Sequence, residues 1–181
     1  MPRGRGGNSR EKLLDAAARL LLRDPSKLTL DAVAAEAGVS KGGLLYHFAS
    51  KDQLLDAVID RWEGTFEDQI EATAAEDPTP GGWTRAFMEA IARDGLDPEA
   101  REVDSGILAA MVLNPERLDA VRARYETWRE RLGQDGIDEV DATIVRLAAE
   151  GLWFCELLEL GPPTGELREQ VLARLRELTT R

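Results

Sequence analysis

The sequence predicts an all-α protein, and three observations support this prediction. Apolar residues recur at intervals of three and four positions along most of the chain, which places them on one face of each helix. Strict alternation of apolar and polar residues, the pattern of a half-buried strand, is rare. Residues that start or stop helices, such as Ser, Asn, Gly and Pro, stand between the periodic segments. We expect about nine helices and no internal repeat.

The first helix is predicted from about Ser9 to Arg23. Its leucine and alanine residues fall on one face, which we expect to be buried. Asn8 is a favourable N-cap, and Glu11 follows it at the spacing of a capping box. The sequence Asp-Pro-Ser at residues 24–26 ends this helix.

Two short helices follow, joined by a tight turn. The first is predicted at Leu30–Ala37, with Thr29 as its N-cap. The second is predicted at Lys41–Phe48, with Ser40 as its N-cap. Gly38 stands where the turn needs left-handed backbone angles. Two helices joined in this way form a helix-turn-helix, whose second helix enters the major groove of DNA.

The remaining sequence predicts six further helices, separated by breaks rich in Pro and Gly. Ser50 and Gln53 form a capping box at the start of the longest one. Asn114 and Pro115 are a cap and a first-turn proline for another. The six helices are predicted at about residues 51–75, 83–94, 98–112, 115–133, 138–160 and 165–178.

Composition limits the class of protein. The chain has 181 residues, 43% of them hydrophobic and 31% charged, which is enough for the core of one large domain or two smaller ones. No segment reaches the roughly 18 consecutive apolar residues of a membrane span, and the N-terminal sequence lacks the apolar stretch of a secretory signal. One cysteine and one histidine exclude a disulfide framework and a multi-histidine or cysteine-rich metal site. We therefore expect a cytoplasmic protein with no cofactor and no bound metal.

Charge is distributed unevenly along the chain, whose net charge is −11. Residues 1–51 hold 9 Lys and Arg against 5 Asp and Glu, whereas residues 52–181 hold 14 against 29. A polyanion is attracted to the first segment and repelled by the second. This asymmetry predicts DNA binding near the N-terminus and a different role for the rest of the chain.

The helix-turn-helix segment resembles a known family. Residues 28–55 read LTLDAVAAEAGVSKGGLLYHFASKDQLL, which is similar to the N-terminal domain of the TetR/AcrR family of bacterial transcriptional regulators, and the resemblance extends from about Ser9 to Val58. It implies a flexible basic arm over residues 1–8, a DNA-binding domain over 9–50, and a ligand-binding and dimerisation domain over 51–181. The partners it implies are a double-stranded DNA operator, a small-molecule effector and a second copy of the chain, with no membrane.

The resemblance also implies, by position, which residues contact DNA. Those expected to face bases are Lys41, Gly42 and Gly43, and those expected to contact phosphates are Thr29, Tyr46, His47 and Lys51. Three of these residues could instead have a purely structural role. In that case His47 is a structural histidine with its hydrogen bonds satisfied, Tyr46 packs on the first helix, and Lys51 is a solvated surface charge.

Two positions depart from the family pattern. Leu45 stands where many relatives carry a base-contacting tyrosine, and Gly43 stands where a hydrogen-bonding side chain is common. The protein would then make fewer direct contacts to bases, and its specificity would depend more on Lys41, on DNA shape or on the arm. The arm holds Arg3 and Arg5 around a glycine, a sequence that resembles arms that enter the minor groove. The alternative is a solvated tail that adds general attraction to phosphates.

The helix predicted at residues 138–160 is apolar on more than one face, so we expect it to be buried against other helices on two sides. In the TetR/AcrR family the last two helices of each subunit form a four-helix dimer interface. A two-fold dimer also suits the reading of paired half-sites. The resemblance therefore implies a homodimer, and its expected interface residues are Ile144, Leu147, Ala148, Gly151, Leu152, Cys155 and Leu158.

Aromatic and methionine residues between these two regions are candidates for a ligand pocket, because such pockets are mostly apolar. They are Trp62, Phe66, Trp83, Phe87, Met88, Met111, Trp128 and Trp153. The alternative for each is an ordinary place in the core. Glu150 and Glu156 could select a cationic ligand, or could be solvated residues of a helix face. Cys155 is expected to act as a small buried hydrophobic residue.

These observations favour a ligand-responsive repressor that is released from a pseudo-palindromic operator by a small molecule. A ligand-independent DNA-binding regulator and a partner-docking module are the alternatives. An enzyme is not expected, because no Ser/His/Asp, Cys/His or metal-ligand set can be assembled from these residues.

Overall fold

The structure is a computed structural model that describes residues 5–24, 27–94, 104–108, 111 and 117–180. Its helices, numbered here in chain order, are α1 Arg5–Arg23, α2 Leu30–Ala37, α3 Lys41–His47, α4 Lys51–Glu76, α5 Gly82–Asp94, α6 Leu118–Gly133, α7 Glu139–Leu157 and α8 Gly165–Leu178. Residues 104–108 form a further helical stretch. The described residues thus contain the nine expected helices and no strand, which confirms the all-α prediction. None of these helices is long and apolar enough to cross a membrane.

The described residues form two compact units. The first unit comprises the residues up to Gly64 together with residues 104–108, 111 and 117. The second unit comprises residues 65–94 and 118–180. Helix α4 therefore contributes its first part to the first unit and its last part to the second.

The first unit is built on the apolar face of α1, which packs against α2 and α3. Leu13, Leu14 and Ala17 of this face are fully buried, as the helical spacing predicts. Val33 of α2 and Leu44 of α3 are fully buried as well. The helix-turn-helix is thus held on α1 by a continuous apolar core.

Helix α1 begins earlier than the sequence predicts. It starts at Arg5, so the capping role predicted for Asn8 and Glu11 is wrong, and residues 5–8 of the predicted flexible arm have a helical backbone. Once a helix has formed, each added residue gains a hydrogen bond without a new nucleation step, so a strong helix can extend through residues of low propensity. Residues 1–4 lie outside the part of the chain that the structure describes.

The second unit is built around α5 and α7, which pack on each other and on α6. Helix α8 packs on α7. The largest core cluster contains, among others, Ile70, Trp83, Phe87, Trp128, Val145 and Leu175. The buried start of α5 is capped from another segment, because Asp135 accepts hydrogen bonds from the backbone nitrogens of Trp83 and Thr84 at 3.2 and 2.7 Å.

One other helix boundary differs from prediction, and two further predictions fall partly or wholly outside the described residues. Helix α7 ends at Leu157 instead of Leu160, because Glu159 adopts a left-handed backbone (φ 54°) that stops the helix. The helix predicted at 98–112 is described only at 104–108 and 111, which are helical. Asn114 and Pro115, predicted to start the next helix, lie outside the described residues.

Candidate nucleic-acid interface

The turn between α2 and α3 is fixed by local hydrogen bonds. The Thr29 hydroxyl accepts from the backbone nitrogen of Ala32, and the Ser40 hydroxyl accepts from that of Gly43, each at 3.1 Å. Gly38 adopts the left-handed conformation (φ 66°), and its N–H donates to carbonyls at the end of α2. All three predicted roles are therefore confirmed. Side-chain caps on both helices and a glycine in the turn give α3 one defined orientation.

Helix α3 has a buried face and an exposed face. Leu44 and the C-cap residue Phe48, one turn apart, are in the core. The opposite face carries Lys41, Gly42, Leu45 and Tyr46, all exposed, and we call these four residues the α3 strip. Tyr46 has 86% of its surface exposed, so the alternative that it packs on α1 does not fit the structure.

Lys41 makes an ion pair that the sequence analysis did not predict. Its Nζ lies 2.8 Å from a carboxylate oxygen of Asp31, in the first turn of α2. Both side chains are more than half exposed, and such surface pairs contribute at most about 1 kcal/mol. Lys41 can therefore exchange this carboxylate for a phosphate or base oxygen at low cost. Ten residues separate the two, a distance for which no local spacing rule exists.

The two glycines of α3 have different surroundings. A Cβ on Gly42 would meet no atom within 4 Å, so the strip is open there. A Cβ on Gly43 would lie 2.9 Å from Val39 Cγ1 and 3.3 Å from the capping hydroxyl of Ser40. A side chain at position 43 would thus press on the residues that fix the turn, which gives a local structural reason for the glycine.

The other residues predicted to contact DNA take varied positions. His47 is half-buried, and its ring and that of Tyr46 form a T-shaped pair with centroids 5.1 Å apart. Lys51 is exposed at the first position of α4. Arg3 lies outside the described residues, and Arg5 is described only through its helical backbone.

Charged groups brace α1 against α2. Glu36 of α2 accepts hydrogen bonds from Arg19 at 3.1 Å and from Arg23 at 3.4 Å. The hydrogen bond from Arg19, assisted by the charge of Arg23, lowers the pKa of Glu36 despite some desolvation. The guanidinium of Arg10 lies over the Phe48 ring, 5.6 Å from its centroid.

The start of α4 is clamped as well. Arg117 donates to carboxylates of Asp52 and Asp56, one turn apart on α4, at 2.7 Å each. Burial would lower the pKa of Arg117, but the two carboxylates outweigh it and raise that pKa. The residues that follow the candidate interface are therefore held in place from a distant part of the sequence.

The second unit exposes a row of apolar residues on α7. The exposed residues on this face are spaced by four and three positions in alternation: Val140, Ile144, Leu147, Gly151, Phe154 and Leu158. We call this row the α7 apolar stripe. Their mean spacing of 3.6 residues is the period of an α-helix, so these residues line one continuous face.

The stripe shares four residues with the predicted dimer interface, namely Ile144, Leu147, Gly151 and Leu158. The other three residues predicted there are not in it. Leu152 is buried within its own unit beside Ala92 and Leu172, Ala148 packs on the main core, and Cys155 is half-buried. The stripe also contains Val140 and Phe154, which the prediction does not include, because a helix apolar on several faces does not reveal which face its own core covers.

The structure brings together only some of the predicted pocket residues. The rings of Phe66, Trp83, Phe87 and Trp128 contact one another, with centroids 5.6 to 5.9 Å apart. Met88 is fully buried and Trp153 packs against the same core. Trp62 and Met111 belong to the first unit, where Trp62 Nε1 donates to Asp104 at 2.7 Å. Trp128 Nε1 is buried and has no hydrogen-bond partner among the described residues.

A cavity of about 680 Å³ lies in the second unit, between the end of α4, the start of α5 and the end of α6. Trp83 is the one predicted pocket residue in its wall. Glu71, also in the wall, accepts from Trp83 Nε1 at 2.9 Å and from Arg131 at 2.8 Å. Each carboxylate oxygen of Glu71 is thus paired with another group of the wall.

The two glutamates considered for cation selection are both paired with arginines. Glu150 accepts from Arg146 at 3.1 Å, and burial raises the pKa of Glu150 although the arginine opposes this. Glu156 is buried, and its Oε1 accepts from the buried Arg168 at 2.6 Å. The alternative of a solvated helix face is therefore wrong for Glu156.

Comparison with known protein families gives two matches. Residues 13–58 match the model described as bacterial regulatory proteins, tetR family. Residues 81–180 match the model described as tetracyclin repressor-like, C-terminal domain. A comparison with curated proteins found no match.

Several solved structures are similar to this chain. A transcriptional regulator, SCO7518 of Streptomyces coelicolor A3(2), has a TM-score of 0.75 at 19% identity and shares the fold, over 96% of this chain and 99% of the other. A TetR family member, SCO1917 of Streptomyces coelicolor A3, has 26% identity, a TM-score of 0.66 and coverage of 92% and 97%. The multidrug binding protein EbrR, in its complex with ethidium, has 27% identity to this chain and a TM-score of 0.68; the match covers 92% of this chain and 98% of EbrR. Its complex with malachite green has a TM-score of 0.64 and coverage of 92% and 96%.

The C-terminal model alone covers more than half of the chain, and the N-terminal model covers the helix-turn-helix with its exposed α3 strip. The chain therefore belongs to the TetR family and is a DNA-binding transcriptional regulator.

Proposed function

We propose that the protein is a homodimeric repressor that binds a pseudo-palindromic operator through α3 and leaves it when an aromatic cation binds the second unit. The observation that carries the proposal is the α3 strip, an exposed face on a helix whose orientation is fixed by the caps at Thr29 and Ser40. A rigid recognition element avoids the entropic cost of ordering side chains and backbone on binding.

DNA binding is supported by charge and exposure together. The strip presents the ammonium group of Lys41 and the hydroxyl of Tyr46, and Lys51 follows at the start of α4. Lysine and tyrosine are common donors to phosphate and base oxygens. Their placement on one accessible surface of a net positive segment favours the DNA-contacting roles over the structural alternatives.

Dimerisation is supported by the α7 apolar stripe. From Val140 to Leu158 it spans roughly 27 Å of helix. An exposed apolar surface of this kind on a water-soluble domain marks an interaction site. A second copy of the same helix fits it, because Gly151 near its centre permits close approach of two helices. The repeat of Val140, Leu147 and Phe154 at seven-residue intervals suits such packing.

The proposed ligand class rests on relatives and on ring chemistry. EbrR, at 27% identity, has been solved with ethidium and with malachite green, both aromatic cations. Here Phe66, Phe87 and Trp128 form an aromatic cluster, and residues 52–181 carry the excess of acidic groups. Aromatic faces attract cations.

Replacing residues of the α3 strip is expected to weaken operator binding. An operator is first selected from random duplex DNA with the wild-type protein. Lys41→Ala and Tyr46→Phe should each lower affinity about tenfold, because each removes a hydrogen-bond donor from the DNA-facing surface. Fluorescence anisotropy at two salt concentrations measures this.

Lys27→Ala is the matched control for Lys41→Ala. Lys27 is exposed, pairs with Asp24 and does not belong to the α3 strip, so its removal should change affinity much less. Equal losses in Lys27→Ala and Lys41→Ala would show that only general charge matters and would contradict recognition through α3.

Ligand binding is expected to require both the aromatic cluster and the positive charge of the ligand. Malachite green added to the protein without DNA should bind with enhanced dye fluorescence, and Trp128→Phe should weaken binding about threefold, because a phenyl face attracts a cation less strongly than an indole face. Leucomalachite green, the uncharged reduced form, should compete poorly. Binding of neither dye, with operator binding intact, would favour the ligand-independent regulator instead.

A further inference from the structure

We propose that Leu45 reads the C5-methyl group of a thymine in each operator half-site. The inference rests on the proposed binding of DNA through α3, and it names one base that this helix recognises. Leu45 lies in the middle of the α3 strip, between the positions of Lys41 and Tyr46, with 43% of its surface exposed. The adjacent Leu44 is fully buried, so Leu45 is not needed to anchor the helix.

Among the groups on base edges in the major groove, the thymine methyl is the apolar one. A leucine has no hydrogen-bond donor or acceptor, so it cannot satisfy the polar groups that guanine, adenine and cytosine present there. Placed against those edges it would displace water without replacing its hydrogen bonds, which is unfavourable. Against a thymine methyl, burial of both apolar surfaces is favourable.

The surroundings of Leu45 favour this contact. Helical side chains lean toward the preceding turn, so the Leu45 side chain lies toward position 42. Gly42 has no side chain there, and even a Cβ would meet no atom within 4 Å. A notch bounded by the backbone of Gly42 and the side chain of Leu45 can thus receive a methyl group. Gly43, beside it, also offers no competing polar side chain.

Deoxyuridine substitution tests the inference, because it removes the thymine methyl and keeps every hydrogen-bonding group. Each thymine of the selected operator is replaced in turn, symmetrically in both half-sites. At one position the wild-type protein should lose affinity about fourfold per half-site, the value expected for one buried methyl group. The Leu45→Ala variant should bind the thymine operator more weakly and should be insensitive to deoxyuridine at that position.

Two further measurements sharpen the test. In the wild-type protein, 5-methylcytosine at the sensitive position should bind better than cytosine, since its methyl group occupies the same place in the groove. Leu45→Gln should shift the preferred base toward adenine, which a glutamine amide can contact with two hydrogen bonds. Circular dichroism should show folded proteins with only a small change in thermal unfolding for both variants, because the Leu45 side chain is 43% exposed and Leu44 is the residue of this pair that is fully buried.

The outcomes separate the inference from the function on which it rests. Selective binding that is indifferent to every thymine methyl would overturn the role of Leu45 alone. A methyl effect that persists unchanged in Leu45→Ala would also overturn it and assign the methyl contact to another residue. Absence of sequence-selective DNA binding by the wild-type protein would overturn the proposed function and this inference together.

Discussion

Leu147→Glu is expected to separate the proposed dimer into folded monomers and to lower operator affinity at least about 100-fold. Leu147 lies at the middle of the α7 apolar stripe and is 55% exposed in the subunit, so its replacement does not disturb the core. In a two-fold dimer the substitution would place two carboxylates, one from each subunit, in an apolar interface, which is unfavourable.

The effect on DNA binding follows from multivalency. When two recognition helices are linked, the second half-site is bound at the high effective concentration that the linkage provides. A monomer loses this advantage, so its affinity falls to that of a single half-site. Sedimentation or light scattering measures the mass of the protein, and fluorescence anisotropy measures binding to whole and half operators.

Ala120→Glu is the control for added charge. Ala120 is exposed on α6, outside the stripe, so this variant should stay dimeric and bind the operator normally. A Leu147→Glu variant that keeps the mass of a dimer would place the interface elsewhere. A monomeric variant with unchanged affinity would instead show that pairing of subunits is not needed for recognition.

Helix boundaries fixed by local chemistry could be predicted from sequence. Thr29 and Ser40 cap α2 and α3 as expected, and Gly38 adopts the left-handed turn between them. The end of α7 could not be predicted in this way. Its apolar pattern continues to Leu160, but the chain leaves the helix because Glu159 takes a left-handed conformation that non-glycine residues rarely adopt.

The sequence distinguishes exposed from buried residues only in helices that have a single apolar face. In α1 the pattern identifies Leu13, Leu14, Ala17 and Leu21 as buried, because the other faces are charged, although Leu20 of the same face is only partly buried. In α7 the apolar residues Leu152 and Phe154 are two positions apart, and one is buried while the other is exposed. Sequence periodicity could not assign them, because the choice depends on where α5 and α8 pack against α7.

Pairs of charges distant in sequence were also beyond prediction. Lys41 and Asp31 are ten residues apart, and Arg117 meets α4 from more than 60 positions away. Charged residues are mostly exposed, so the sequence favours a surface or ligand-binding role for Glu156. Its burial against Arg168 is a product of tertiary packing, and it leads to a strong expectation about stability.

Arg168→Met is expected to destabilise the second unit by about 3–5 kcal/mol. The Arg168 side chain is only 7% exposed. It donates from Nε to Glu156 Oε1 and from Nη2 to the carbonyl oxygen of Ala92, each at 2.6 Å, and so joins α8 to α7 and α5. Methionine fills similar space but leaves the buried carboxylate of Glu156 without a cation and the carbonyl without a donor. Urea unfolding followed by circular dichroism measures the loss.

Two variants distinguish the unpaired charge from lost packing. Arg174→Met makes the same substitution at an exposed position of α8 and should change the free energy of unfolding by less than about 0.5 kcal/mol. The double variant Glu156→Met/Arg168→Met removes both charges and should recover most of the stability, because apolar residues often replace a buried ion pair without loss. If the double variant is as unstable as Arg168→Met alone, the loss comes from the packing of the arginine side chain and its bond to Ala92, and the buried carboxylate is not its cause.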